Sequence, residues 1–397
     1  MKKLMVLGGN FLQMQAIKRA KELGYYVISV DYLPDNPGHR FSDEYHNVST
    51  VDKEAVLALA RELEIDGILA YATDVAAPTA AYVSEKLGLP TNPYESVMIL
   101  THKDSFRAFM AENGLLMPWG AAFCDKEAAR EYFDSHPLPV MIKPVDSSGS
   151  KGVTKVTSRT QFDAAFEYAL QYSIEKRVIV EQFIERHGYQ IDGDGFIMDG
   201  RIAFFGVMDQ HNNHARNPYA PIGHSWPSIQ DEKYKSKAFE LISSIFKKLN
   251  MRFGAFNFEY IIGGDDNVYL LEIGPRNGGN LISEALKCAC GADLTEASIK
   301  ACVGDDYAEA LRPKFSRPAA SYVIHSLESG RYKGLEIDDA VKDKIVLTSV
   351  FAENGEEINA FRNASDSIGA LVLEFSSVDE MNRLLDNMWE HIKVVVE

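Results

Sequence analysis

Apolar and polar positions change period along this chain, and the changes divide it. Leu4-Met5-Val6-Leu7-Gly8 reads as a buried parallel strand, residues 11–23 as a helix, and Tyr26-Val27-Ile28-Ser29-Val30 as a second strand ending at Asp31. A helix over 53–64, a strand over 67–72, a helix over 76–87 and a Gly/Pro turn at 88–93 continue the alternation. This predicts a doubly wound α/β unit with a parallel sheet over about residues 1–95. A further helical stretch runs from Ser96 to a stop at Asn113-Gly114.

The pattern then becomes that of an antiparallel α+β body. Residues 138–157 alternate around a Gly/Ser centre as a hairpin does, 160–170 are helical, and strands are expected at 177–183, 189–197 and 202–208. The segment 209–228, rich in His, Asn and Pro, has no period and reads as a long functional loop. After Arg317, strands at 320–326, 345–351 and 368–375 and a helix from Val378 predict a small closing α+β unit. The expected division is 1–100, 101–315 and 316–397.

Composition narrows the function. At 397 residues and 46% hydrophobic content the chain can fill several cores, each of ~100–200 residues. A net charge of -16 argues against a nucleic-acid partner, which needs clustered Lys and Arg. The four cysteines (Cys124, Cys288, Cys290, Cys302) make no paired metal pattern and fit a reducing compartment. Residues 1–8 lead straight into glycines without a cleavable signal pattern, and no run of about 18 apolar residues occurs, so a cytoplasmic protein without membrane contact is expected.

Gly8-Gly9-Asn10 between a strand and a helix invites a dinucleotide reading, but Gln13 stands where the third glycine of that fingerprint belongs. The helix start at Gly9 and Asn10 can instead hold a substrate carboxylate or phosphate.

The most informative stretch is a hairpin, residues 256–262 and 268–273 around a Gly263-Gly264-Asp265-Asp266-Asn267 turn. If the turn centres between Asp265 and Asp266, Glu259 faces Glu272 and Asn257 faces Gly274. Two carboxylates at cross-strand distance repel unless a cation or a proton lies between them, and hard oxygen ligands suit magnesium. Earlier, the strand Val140-Met141-Ile142-Lys143 leads into the small-residue loop Ser147-Ser148-Gly149-Ser150-Lys151-Gly152, whose amides and hydroxyls can fold over a polyphosphate with Lys143 at its edge. The strand Val178-Ile179-Val180-Glu181-Gln182-Phe183-Ile184 can read adenine through its backbone.

Taken in order, these pieces resemble the ATP-grasp superfamily over roughly residues 1–315. The likeness rests on a lysine before a small-residue loop, a Glu-x-x-Ile hinge, a Glu on one strand, and Glu272-Ile273-Gly274-Pro275-Arg276-Asn277-Gly278-Gly279 on the next. It implies that Lys103 and Lys143 are the ATP lysines, that Ser147, Ser148, Gly149, Ser150 and Gly152 cover the phosphates, and that Glu181, Gln182, Phe183 and Ile184 form the adenine hinge. It also implies Glu259 and Glu272 as magnesium ligands, Arg276 beside the acyl group, and about 114–183 as a mobile lid. In three places the chain departs from the family. Gly274 replaces the third-ligand Asn, for which Asn257 across the hairpin is the expected substitute. No acidic ribose ligand follows the hinge, where Tyr189 and Gln190 stand. His211 occupies the place of a basic residue.

The implied activity is that of an ATP- and Mg2+-dependent ligase, with Mn2+ as a substitute metal, that activates a small carboxylate as an acyl phosphate and joins it to an amine. Lys143 and Arg276 would be catalytic, and His211, Arg216, His224 and Asn277, with Gly9 and Asn10, would contact substrate. The nearest groups are the carbamoyl-phosphate synthase, phosphoribosylglycinamide synthetase and amino-acid ligase enzymes. The rival readings are a nucleotide-binding regulatory protein without turnover and a biotin-carboxylase-like enzyme, although Asn277-Gly278-Gly279-Asn280-Leu281 lacks the bicarbonate stretch of the latter. A homodimer is the expectation for an enzyme of this size.

Overall fold

A computed structural model describes residues 1–147, 149–213 and 217–397. Ser148 and Arg216, two of the expected contact residues, lie outside the described residues. The first elements are β1 (Lys3–Leu7), α1 (Phe11–Glu22), β2 (Tyr26–Val30), β3 (Glu44–His46), α2 (Lys53–Glu62), β4 (Gly67–Ala70), α3 (Ala77–Leu87) and α4 (Tyr94–Thr101). The strands form a parallel sheet in the order β3-β2-β1-β4. All of β4 and all but the first residue of β1 and β2 are buried, because helices cover both faces, and this is why these three strands read as continuous apolar runs, while β3 at the edge is only half-buried.

Where one helix was expected before Gly114 there are two. His102, with extended backbone, separates α4 from α5 (Lys103–Glu112). The break places Lys103 in the first turn of α5, its amide bonded to the Val145 carbonyl at 3.0 Å.

A four-stranded antiparallel sheet follows, built from β5 (Gly120–Phe123), β6 (Val140–Pro144), β7 (Thr154–Val156) and β8 (Val178–Gln182) in the order β5-β8-β6-β7. It is backed by α6 (Lys126–Asp134) and α7 (Phe162–Tyr172), with Phe133, Phe162 and Phe166 fully buried between helices and sheet.

The largest sheet has eight strands. It contains β9 (Gln190–Met198), β10 (Arg201–Asn212), β11 (Pro221–Trp226), β12 (Gly254–Ile262) and β13 (Val268–Gly274), with α8 (Glu232–Lys248) on one face and α9 (Ile282–Cys290) and α10 (Leu294–Cys302) on the other. The expected loop at 209–228 is mostly strand: β10 runs to Asn212 and pairs with β11, with His211 opposite Gly223. Its polar residues hid the strand period because they are buried in pairs on the sheet rather than alternating with solvent. The C-terminal elements are β14 (Ala319–His325), β15 (Gly330–Ile337), β16 (Ile345–Val350), β17 (Glu357–Ile358), β18 (Ser367–Glu374), a helix over Val378–Leu385 and β19 (Ile392–Val396). Of these, β14, β18 and β16 extend the large sheet, whose order is β13-β12-β9-β10-β11-β14-β18-β16, while β17-β15-β19 form a small sheet. The sheet therefore runs across residue 316, although the C-terminal elements also bury a core of their own. Among the described residues no helix is long and apolar enough to cross a membrane.

Strand β9 explains how one sheet serves both a core and a polar site. In Asp192-Gly193-Asp194-Gly195 the glycines lie beneath phenyl rings: a Cβ on Gly195 would stand 2.2 Å from Cζ of Phe256, and one on Gly193 would stand 3.1 Å from Cζ of Phe258 and 1.8 Å from the Gly206 oxygen. The period of two then turns Asp192 and Asp194 to the opposite face. Gly195→Ala should overpack this contact and lower stability by about 1–3 kcal/mol. A lowered urea midpoint with an unchanged slope would register that loss.

Candidate active site

The two large antiparallel sheets face each other across a cleft of about 280 Å³. Lys103, Lys143, Ser147, Gly149, Ser150, Glu181, Gln182, Phe183, Ile184, Gln190, Glu259 and Glu272 all line it, so twelve residues named from separate segments of the sequence meet in one place. Met141 and Val153 on one side and Ile261 and Leu271 on the other give it apolar walls. A planar base can lie between such walls while phosphates reach the lysines.

Glu259 lies directly opposite Glu272, and Asp192 lies opposite Glu259 on the other side, a row of three carboxylates across β9, β12 and β13. The turn closes one residue earlier than the sequence suggested, since Tyr260 pairs with Leu270. A bulge that leaves Leu271 unpaired restores the expected register at the glutamates. Burial, then the charges of Glu272 and Asp192, push the Glu259 carboxyl up to about 8. Lys103 Nζ stands 3.0 Å from Glu272 Oε2, and Gln190 Nε2 donates to Glu259 Oε2 at 2.9 Å. Two facing carboxylates, one of which retains its proton for want of positive charge, fit a divalent cation shared with phosphate oxygens. Among the described residues no cluster of three or more His, Cys, Asp or Glu forms a complete protein cage.

Glu181 differs from its expected role at the adenine edge. It is 1% exposed and pairs with Lys143 and, at 3.3 Å, with Arg107 Nη2. Burial works to raise its pKa, yet Lys143 and Arg107 hold the carboxyl down to about 2. Arg107 also donates to the Leu271 carbonyl at 2.9 Å, the group that the bulge leaves without a ladder partner. Arg107 belongs to no motif in the sequence; its signal is an arginine on the buried stripe of α5, between Phe106 and Met110.

Arg276 sits at the end of the same hairpin, and its fork is filled by Asp74, with Nε to Oδ1 at 2.8 Å and Nη2 to Oδ2 at 2.5 Å. This pair accounts for Gly274, because a Cβ there would stand 2.7 Å from Asp74 Oδ1 and 3.1 Å from Arg276 Cζ. Asp74, in the loop after β4, was also missed. Nothing local in sequence distinguishes it from any loop aspartate. Lys151, half-buried in the Ser/Gly loop, is depressed by burial, with the charge of Asp74 opposing.

Several expected contact residues are engaged elsewhere. Asn257 is buried, with Nδ2 donating to the Gly193 oxygen (2.9 Å) and to Asp194 Oδ1 (3.1 Å), so its amide is held in the sheet beside Gly278 rather than at the glutamate pair. His211 bonds Asp386 through Nδ1 (2.8 Å) and Ser225 through Nε2 (2.9 Å), and His224 Nδ1 lies 2.5 Å from Asp192 Oδ2. Both rings are buried and are structural partners of polar residues. Asn277 is held by Ser283 and Ser298. The Gly9 amide bonds Asp31, and Asn10 caps α1 through Leu12 N. Gly152 forms a turn at φ 74° against Pro144 and Ala169.

Comparison with known proteins agrees with this geometry. Residues 102–280 match the model of the ATP-grasp domain. A formate-dependent phosphoribosylglycinamide formyltransferase of Burkholderia pseudomallei is 28% identical, over 81% of this chain and 79% of its own length. Crystal structures of an L-amino acid ligase from Bacillus licheniformis (TM-score 0.83, 20% identity, 100% of this chain and 99% of that one) and of a phosphoribosylglycinamide synthetase from Anaerococcus prevotii (TM-score 0.77, 21% identity, 100% of both chains) share the fold. The nucleotide-sized cleft and its paired glutamates lie inside the matched segment, so residues 102–280 carry an ATP-grasp domain.

Proposed function

We propose that this chain is a cytoplasmic enzyme that phosphorylates a small-molecule carboxylate with ATP and joins the resulting acyl phosphate to an amine, releasing ADP and phosphate. The observation that carries this reading is the Glu259–Glu272 pair lining a base-sized cleft together with Lys103 and Lys143. Glu259 and Glu272 would hold magnesium, which supplies charge neutralisation on the phosphates when bound. Lys103 and Lys143 take the negative charge of the moving phosphoryl group, and Glu181 and Arg107 fix where Lys143 points. The carboxylate oxygen attacks the γ-phosphorus as the bond to ADP breaks. The amine nitrogen then attacks the acyl carbon, the C–O bond to phosphate breaks, and phosphate leaves.

Arg276 orients the acyl group, and Asp74 is its positioning residue: two N–H groups of the fork are spent on Asp74 and one on the Asn277 carbonyl, which fixes the direction of the rest. The Ser/Gly loop excludes water from the acyl phosphate. Its closed position is supported by Ser150 Oγ donating to the Tyr219 carbonyl at 2.8 Å and by Ala364 N donating to the Gly149 carbonyl at 3.3 Å. Units 1–100, 101–315 and 316–397, with about 114–183 as the moving part, follow from this reading.

The first test is ADP and phosphate release from Mg-ATP across a matrix of carboxylates and amines. Glu272→Ala should lower substrate-dependent release at least about a hundredfold; an undiminished rate would sink the assignment. Asp74→Asn should lower kcat about ten- to a hundredfold with KM for ATP unchanged. Equal losses in kcat and ATP binding would instead mean that the pair only supports the fold. A third expectation concerns pH. The folded protein keeps a proton on Glu259 through a range in which the unfolded chain has lost it, so the metal-free protein loses stability as pH rises toward about 8. Metal binding must expel that proton, so magnesium affinity should rise with pH up to about 8 and then level off. Calorimetry in buffers of different ionisation enthalpy would detect the released proton, and Glu259→Gln should abolish it.

A further inference from the structure

The cleft holds a cation that the reaction described above does not use. Lys103 and Lys143 line it with carboxylate partners, Glu272 and Glu181, whereas Arg186 lines it and is matched by none of the described carboxylates. Its side chain is half-buried. Nη1 donates to Asn212 Oδ1 over a long 3.4 Å, so a guanidinium with five N–H groups is spent on one weak bond to a neutral amide. Burial lowers its pKa, with Tyr219 opposing, as expected of a cation drawn from water without an anion beside it. Such a group is costly to bury, and an anion bound in the cleft removes that cost.

The place of Arg186 along the cleft decides which part of a nucleotide it meets. It follows the hinge residues Glu181–Ile184, and its backbone bridges to Gly263, four positions past Glu259 and therefore roughly 13 Å from the glutamate pair along the strand direction. On the same sheet Glu259 bonds Gln190, Gln190 bonds Gln210, and Asn212 stands two positions farther along β10, so the guanidinium continues a polar row that leads away from the metal carboxylates. Tyr219, close enough to act on the arginine, carries the carbonyl to which Ser150 of the phosphate loop donates at 2.8 Å. Arg186 thus lies between the hinge and the phosphate loop, at the end of the cleft remote from the terminal phosphate. Tyr189 and Gln190, the side chains that stand after the hinge, are bonded to Asp386 and to Gln210 and Glu259. This end of the cleft presents positive charge where an acidic ribose ligand was expected.

Resting on the nucleotide-binding half of the reading above, we propose that Arg186 binds the α-phosphate of ATP, so that the sugar end of the nucleotide is held by charge rather than by recognition of its hydroxyls. Two N–H groups of the fork can face two phosphate oxygens while a third keeps Asn212. The α-phosphate takes no part in the transfer and is the same in ATP and ADP. The contact therefore serves binding rather than rate.

The test measures dissociation constants calorimetrically on the full chain, directly or by displacement, for adenosine, AMP, ADP and 2′-deoxyADP. Arg186→Gln should weaken AMP and ADP about ten- to a hundredfold and leave adenosine within about twofold. Arg186→Lys, which keeps the charge and loses the fork, should weaken them about three- to tenfold and stands in should Arg186→Gln fail to fold. ADP and 2′-deoxyADP should bind the unaltered protein within about threefold of each other. This pattern without ADP release from ATP under any substrate pairing would uphold Arg186 and overturn the ligase reading. Three results would overturn the proposal: adenosine weakened as much as ADP, which makes the arginine a wall of the pocket; 2′-deoxyADP bound more weakly than ADP and indifferent to the substitution, which moves the contact to the sugar hydroxyl; and ADP binding unchanged in Arg186→Gln. Absence of nucleotide binding by the unaltered protein would overturn it together with the reading on which it rests.

Discussion

Arg107 joins the two sheets that enclose the cleft, and the charge pattern on both sides depends on it. A bulge at Leu271 brings Glu272 opposite Glu259, and a bulge leaves a carbonyl without its ladder partner. Arg107 satisfies that oxygen and holds Glu181 on the facing sheet, which in turn holds Lys143. One buried guanidinium thus supports both the register of the Glu259–Glu272 pair and the position of Lys143. Removing it would leave a buried carboxylate short of charge and a bulge carbonyl unpaired, two of the more costly errors a core can contain.

Around this link the site is an arrangement of unequal charge. Three carboxylates lie in a row across β9, β12 and β13; His224 answers the first and Lys103 the third, while Glu259 keeps its proton. Such a row weakens the folded protein once Glu259 loses its proton, since like charges then face each other at cross-strand distance. The arrangement is nonetheless maintained because the opposite face of the sheet is locked, with Gly193 and Gly195 lying beneath the rings of Phe258 and Phe256.

The sequence made the parts of this plan that depend on local order readable. The two alternating runs around 263–267 gave the hairpin that faces Glu259 with Glu272, with a bulge correcting its turn, the strands on either side of residues 147–152 gave β6 and β7, and the apolar runs of β1, β2 and β4 gave the parallel sheet. What it hid were consequences of burial and of long-range pairing. His211 and His224 look like ligands in a polar stretch, but they are partners of Asp386 and Asp192, residues 175 and 32 positions away in the chain. Asp74 meets Arg276 across 202 positions, and no local period announces such a contact. Asn257 was the reasonable substitute for an amide missing at Gly274; no side chain stands at Gly274 because the Asp74–Arg276 pair fills the space.

The eight-stranded sheet carries the glutamate pair on β12 and β13 at one end and the C-terminal strands β14, β18 and β16 at the other. Hydrogen-bonded strands of one sheet cannot part without breaking a ladder, so these two places behave as points on a single rigid plate. If the cleft opens, the movement would therefore fall to the smaller sheet rather than to that plate. The connections that tie the smaller sheet to that plate lie before β5 and after β8, and the second of them, through Phe183, Ile184 and Arg186, lines the cleft itself, so a change in its backbone would be felt directly where a ligand rests.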